Sequence, residues 1–109
     1  MDKEKVLEFS PEKVSDAHEK IVDMLQEGKL TVGELLVLYG NLGYTLGASI
    51  AGYKEKGPSP EELEKLYYAG SSDKKKHLGV ALMLQGMTVT SWYSDWQSIQ
   101  LESIDKSKQ

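Results

Sequence analysis

Residues 35 to 53 read LLVLYGNLGYTLGASIAGY, an apolar stretch with helical spacing that is interrupted by Gly40, Gly43, Gly47 and Gly52. Glycine costs a helix about 1 kcal/mol per position against alanine, so four of them forfeit about 4 kcal/mol of propensity. Only close contact with another helix offsets that loss. Leu36, Gly40, Gly43, Gly47 and Ala51 follow one another at spacings of four, three, four and four, which puts them in one stripe. The stripe is a small-residue groove for a passing backbone. Its partner is either a second helix of the chain or a symmetry mate, and Gly43 and Gly47 are assigned to an oligomer interface on the second view.

Capping chemistry places the helices around this stretch. Ser10 precedes Pro11 and Glu12, an N-cap hydroxyl ahead of a proline at the first helical position. Val14, Ala17, Ile21, Met24 and Leu25 then recur at helical spacing until Gly28. Thr31 with Glu34 three residues later is a capping box for a second helix, expected to run from about 31 to 56 and to end at Gly57 and Pro58. Ser59, Pro60, Glu61 and Glu62 repeat the first start signal for a short connector helix that Gly70 ends. Asp73 caps a fourth helix, expected over about 73 to 103, with Gly79 and Gly86 its only potential breakers. Residues 1–9 and 104–109 read as flexible tails. The expected fold is all-α: a four-helix arrangement built on a central antiparallel pair, the second and fourth helices, and completed by oligomerisation.

With 109 residues the chain is one domain with a modest core. No cysteine is present, which excludes a disulfide scaffold, a thiolate nucleophile and a cysteine-ligated zinc site. A net charge of -4 disfavours a nucleic-acid polymer as partner. The N-terminal MDKEKVLEF has no apolar signal region, and a cytoplasmic location is expected. Residues 30–53 are long enough to cross a bilayer, but Glu34, Asn41 and many small residues lower their hydropathy, so no membrane is expected either.

Three features bear on function. A polar stripe of Glu34, Asn41, Thr45 and Ser49 crosses the second helix, and Thr88, Ser91 and Asp95 form a comparable one on the fourth. Either both face water, or they satisfy each other around a polar pocket. Leu78, Leu82, Gln85, Val89, Trp92, Trp96 and Ile99 make a heptad seam on the fourth helix, with Gln85 as a polar register residue. Beyond Trp92 this seam outruns what three shorter helices cover, so Trp92, Trp96 and Ile99 are assigned to a contact between protomers. Third, Tyr67, Tyr68, Ser71, Ser72, Lys74, Lys75, Lys76 and His77 cluster at a helix start, where three lysines oppose the helix dipole. An anion bound to free backbone N–H groups there would reverse the penalty, and a tyrosine would stack on a base.

No catalytic constellation stands in the chain. His18 and His77 lie on different elements, and no serine sits in a nucleophile elbow. The expectation is a protein without enzyme activity, metal or cofactor. As a homo-oligomer it captures a small anionic, nucleotide-like ligand between protomers, with Asn41 and Thr45 adding polar contacts to the lysine cluster. In style it resembles the small accessory sequestering proteins of bacteria and their phages. The alternative is an inhibitor or adaptor that binds a host or regulatory protein through an acidic, aromatic-bearing helical surface.

Overall fold

The structure, a computed structural model, describes residues 8–54 and 56–107. It is all-helical, with no strand among the described residues: α1 (Pro11–Gln26), α2 (Val32–Ala51), α3 (Pro60–Ala69) and α4 (Lys74–Ser107). Residues 1–32 form one unit and residues 33–109 another.

The first unit contains α1. Ser10 is extended, and its Oγ accepts a hydrogen bond from the Lys13 N–H at 3.3 Å, with Pro11 in the first turn as expected. At the other end Gly28 adopts φ +76° while the Lys29 N–H reaches back to the Met24 carbonyl at 2.9 Å, a Schellman closure. No residue of α1 is buried.

In the second unit, α2 ends five residues before the expected boundary. Gly52 takes φ +89°, its N–H donates to the Ser49 carbonyl at 3.2 Å, and the Tyr53 N–H donates to the Ala48 carbonyl at 2.9 Å. Gly52 is therefore the terminator of α2 and not an interior glycine. Tyr53 and Ala48 both pack on the core, and that contact holds the turn in place. Helix α3 has the expected caps, Ser59 at its start and Gly70 after its end. Helix α4 runs through Ser107, past the expected boundary near Ser103, so residues 104–107 are helical. Residues 1–7 and 108–109 of the expected tails lie outside the described residues.

The buried residues of α2 are three glycines, Gly33, Gly40 and Gly47, spaced by seven. They face α4 in antiparallel register. A Cβ added to Gly47 would sit 2.5 Å from the Gly79 carbonyl oxygen, and one added to Gly79 would sit 2.5 Å from the Gly47 carbonyl oxygen. Gly40 and Gly86 repeat the reciprocal arrangement one heptad away, at 2.6 and 2.5 Å. A third layer pairs Gly33 with the ring of Tyr93. In the two glycine pairs the hydrogen that occupies the Cβ direction points at a facing carbonyl, the geometry of a weak Cα–H···O contact. The two backbones touch because no side chain stands between them.

Gly43 and Gly47 thus belong to a seam within the chain, and this corrects their assignment to an interface between protomers. Gly43 sits less tightly, with its notional Cβ at 3.5 Å from the Gly86 Cα. On one side of the seam Leu63 of α3, fully buried, packs with Val80 and Met83, and Tyr44, Ala48, Leu66, Leu84 and Met87 surround them. Both polar stripes face solvent: Glu34, Asn41, Thr45 and Ser49 are exposed, as are Thr88, Ser91 and Asp95. The Thr88 and Ser91 hydroxyls donate to carbonyls of their own helix, Leu84 at 3.0 Å and Thr88 at 2.6 Å, so these two are satisfied locally. Among the described residues no helix is long and apolar enough to cross a membrane.

Substitution should separate tight from loose glycines. Gly47→Ala or Gly79→Ala forces the helices apart and is expected to lower stability by about 1–3 kcal/mol. Gly43→Ala, with room for its methyl, should stabilise by up to about 1 kcal/mol through propensity. Thermal or urea unfolding followed by circular dichroism checks both signs.

Candidate functional site

The segment between α3 and α4 concentrates the side chains expected to bind a ligand, and its local hydrogen bonds explain its shape. Gly70 turns the chain with φ +74°. The Ser71 hydroxyl accepts from the Asp73 N–H at 3.1 Å. Asp73 then caps α4, its Oδ1 accepting from the N–H groups of Lys75 at 3.1 Å and Lys76 at 3.3 Å. A carboxylate thus occupies the place expected for a bound phosphate, and it already offsets part of the repulsion between the lysines and the helix dipole. A ligand meeting this loop meets the exposed side chains of Ser72, Lys74, Lys75 and Lys76, not those two amides.

Tyr67 and His77 are brought together, with ring centroids 5.4 Å apart and planes 12° from parallel. Tyr68 meets Tyr67 edge-on at 5.4 Å and is itself largely exposed. The His77 Nδ1 is buried and has no hydrogen-bond partner among the described residues. The Tyr67 ring is therefore already stacked on one face, which leaves its other surfaces for contact.

Three open hollows mark the second unit. One of about 440 Å³ is lined by Tyr67 and by Ala81, Leu84, Gln85, Thr88, Val89 and Trp92 of α4. A second, about 400 Å³, is lined by Gly33, Glu34, Val37, Leu38, Asn41 and Tyr93. The third, about 510 Å³, is lined by Glu61, Glu64, Lys65 and Tyr68. Asn41 and Tyr67 therefore line different hollows, and Thr45 lines none of the three. The expected ligand set is split into a lysine-bearing loop, an aromatic groove and a separate hollow on α2. Gln85 and Thr88 enter the groove as residues the sequence marked only as a register position and a polar stripe. Their helical offset from Tyr67 was invisible before α3 was seen to lie against α4.

The heptad seam of α4 divides into two rows. Leu78, Gln85, Trp92 and Ile99, spaced by seven, are exposed, with Trp92 at 50% and Ile99 at 53%. Leu82, Val89 and Trp96 are half-buried or buried, and Trp96 lies against Gly33. On α2, Tyr39, Leu42 and Leu46 are exposed as well. Helical periodicity puts these residues and the exposed α4 row on the same side of the seam, opposite the Leu63, Val80 and Met83 cluster, with Gln85 and Trp92 also reaching the groove beside Tyr67. Together they make a wide apolar face. Comparison with protein-family models, curated proteins and solved structures finds no match to this chain.

Asp73→Ala should destabilise the protein by about 0.5–2 kcal/mol through loss of the cap. It also frees two amides and removes a competing carboxylate. Phosphate should then raise the melting temperature of the variant more than that of the parent chain, which a thermal-shift titration measures.

Proposed function

We propose that this chain is a non-enzymatic binding module that works as a homo-oligomer in the cytoplasm. The apolar face on α2 and α4 carries the reading. Leu42 and Leu46 at 60% and 55% exposure, with Trp92 and Leu78 at 50% and 53%, give this face several large apolar side chains on a small domain. Scattered exposed leucines need no explanation, but a patch of this extent, with aromatic anchors, is a feature of interaction surfaces. The exposed row of α4 also continues past the start of α2, where Ile99 is exposed. An isolated helical end of that length is marginal in water, and packing against a partner would stabilise it.

The groove between Tyr67 and Trp92 supports a second reading, capture of a small ligand. Its two aromatic walls suit a flat ring, Gln85 offers both a donor and an acceptor, and its volume falls in the range of small-molecule sites. The groove is open on the side of the exposed α4 row, so a second protomer would close it. Lys74 lies two turns before Ala81 on the same side of α4, within reach of an anionic group on a ligand held there. Binding of a host or regulatory protein to the same face is the alternative use of the patch.

Sedimentation analysis of the full chain across micromolar concentrations tests the first reading. A concentration-dependent oligomer is expected, and Trp92→Ala with Ile99→Ala, both exposed in the single chain, should shift it to smaller species while most of the helical signal remains. A parent chain that stays monomeric at high micromolar concentration overturns it. Titration with mono-, di- and cyclic nucleotides, followed by tryptophan fluorescence, tests the second. Binding weaker than about 1 mM, equivalent to about -4 kcal/mol, would remove the nucleotide reading.

A further inference from the structure

The charges along α4 are segregated by end. Lys74, Lys75 and Lys76 occupy its first turn, whereas its second half carries Asp95, Glu102 and Asp105 against the single Lys106 and is net acidic. In the heptad of the exposed seam, Lys74, Ala81, Thr88, Asp95 and Glu102 form the flanking row on the side away from α2. The opposite flank is Gly79, Gly86 and Tyr93, which the α2 contact fills.

We infer that the exposed face of α4 packs against α4 of a second copy in antiparallel register about a two-fold axis near residue 87. This rests on the self-association proposed above and specifies its geometry. In that register the exposed Leu78, Gln85 and Trp92 of each copy lie over Trp96, Val89 and Leu82 of the other, which are half-buried or buried in their own chain, so the exposed row supplies most of the new contact. The flanking rows then run opposite each other, so Lys74 of each copy faces Glu102 of the other and Ala81 faces Asp95. The same two-fold brings the exposed leucines of α2 over those of the second α2.

Other pairings lack this complementarity. In a parallel pair the flanking row of one α4 faces Gly79, Gly86 and Tyr93 of the other, which α2 already covers. If α4 instead packed on the second copy's α2, its lysines would face a helix whose only charged residue between 32 and 51 is Glu34. Antiparallel α4 pairing gives each lysine-bearing helix start a carboxylate and each acidic half an ammonium, and it buries the exposed Trp92.

Charge reversal reads the register. Lys74→Glu and Glu102→Lys should each weaken the dimer about tenfold, because each reversal acts at two symmetric places. The double variant should recover most of the parent affinity. Lys74→Glu places a favoured charge at a helix start, so a loss of dimer in that variant does not report unfolding. The absence of cysteine allows an independent check. With a short bis-maleimide, Thr88→Cys should cross-link to itself, whereas Lys74→Cys alone should not and a mixture of Lys74→Cys and Glu102→Cys should. A dimer indifferent to both reversals, or one in which Lys74→Cys self-links, overturns the antiparallel register while leaving self-association standing. A chain that never dimerises overturns both.

Discussion

The second unit depends on the contact between two glycine-lined backbones. Where Gly40 meets Gly86 and Gly47 meets Gly79, the separation leaves no space for a methyl group, and each pair is reciprocal because the helices run antiparallel with glycines every seven residues. The repeat matters as much as the residue type. A seven-residue period returns to nearly the same face of a helix, so two layers of glycine keep the backbones together over two heptads. The propensity lost at these positions is offset by dispersion along the seam and by the core that the close approach creates.

That core is small. Among the described residues its buried apolar side chains are Leu63, Val80, Met83 and Val89, and three of them cluster where α3 meets α4. Because α2 buries glycines and no large side chain, the stability of the unit comes from one side of the hairpin, and the other side keeps its apolar residues in water. The face on α2 and α4 is thus a consequence of the glycine seam: helices that spend their closest positions on glycine carry their leucines and tryptophans on other faces. Tyr67, stacked on His77 at the end of α3, marks the border between the covered side and the open one.

Local chemistry also decides what the lysine-rich helix start offers. Lys74, Lys75 and Lys76 look like an anion site as long as the amides of the first turn are free, and Asp73 removes that condition by taking two of them. What remains is a positively charged end of α4 whose ammonium groups project outward. It is a surface feature suited to long-range attraction, whether of an anionic ligand or of an acidic helix. Asp95, Glu102 and Asp105 give the same helix the opposite character at its far end.

The sequence by itself determined the helical class, the four helix starts at Pro11, Val32, Pro60 and Lys74, and the stops at Gly28 and Gly70, because capping and glycine termination are interactions between residues a few positions apart. It also marked Gly40, Gly43 and Gly47 as a packing stripe. It did not separate Gly52 from them, since a terminating glycine and an interior one differ in φ, and that φ is set by the docking of Tyr53 and Ala48 on the core. Tertiary structure alone decided that Gly40 and Gly47 face Gly86 and Gly79 and not a second chain. It also decided that Gln85 and Thr88 share a groove with Tyr67, and that both polar stripes are wet. Each of these depends on which helix lies beside which, and so on contacts between residues far apart in the chain that no local pattern encodes.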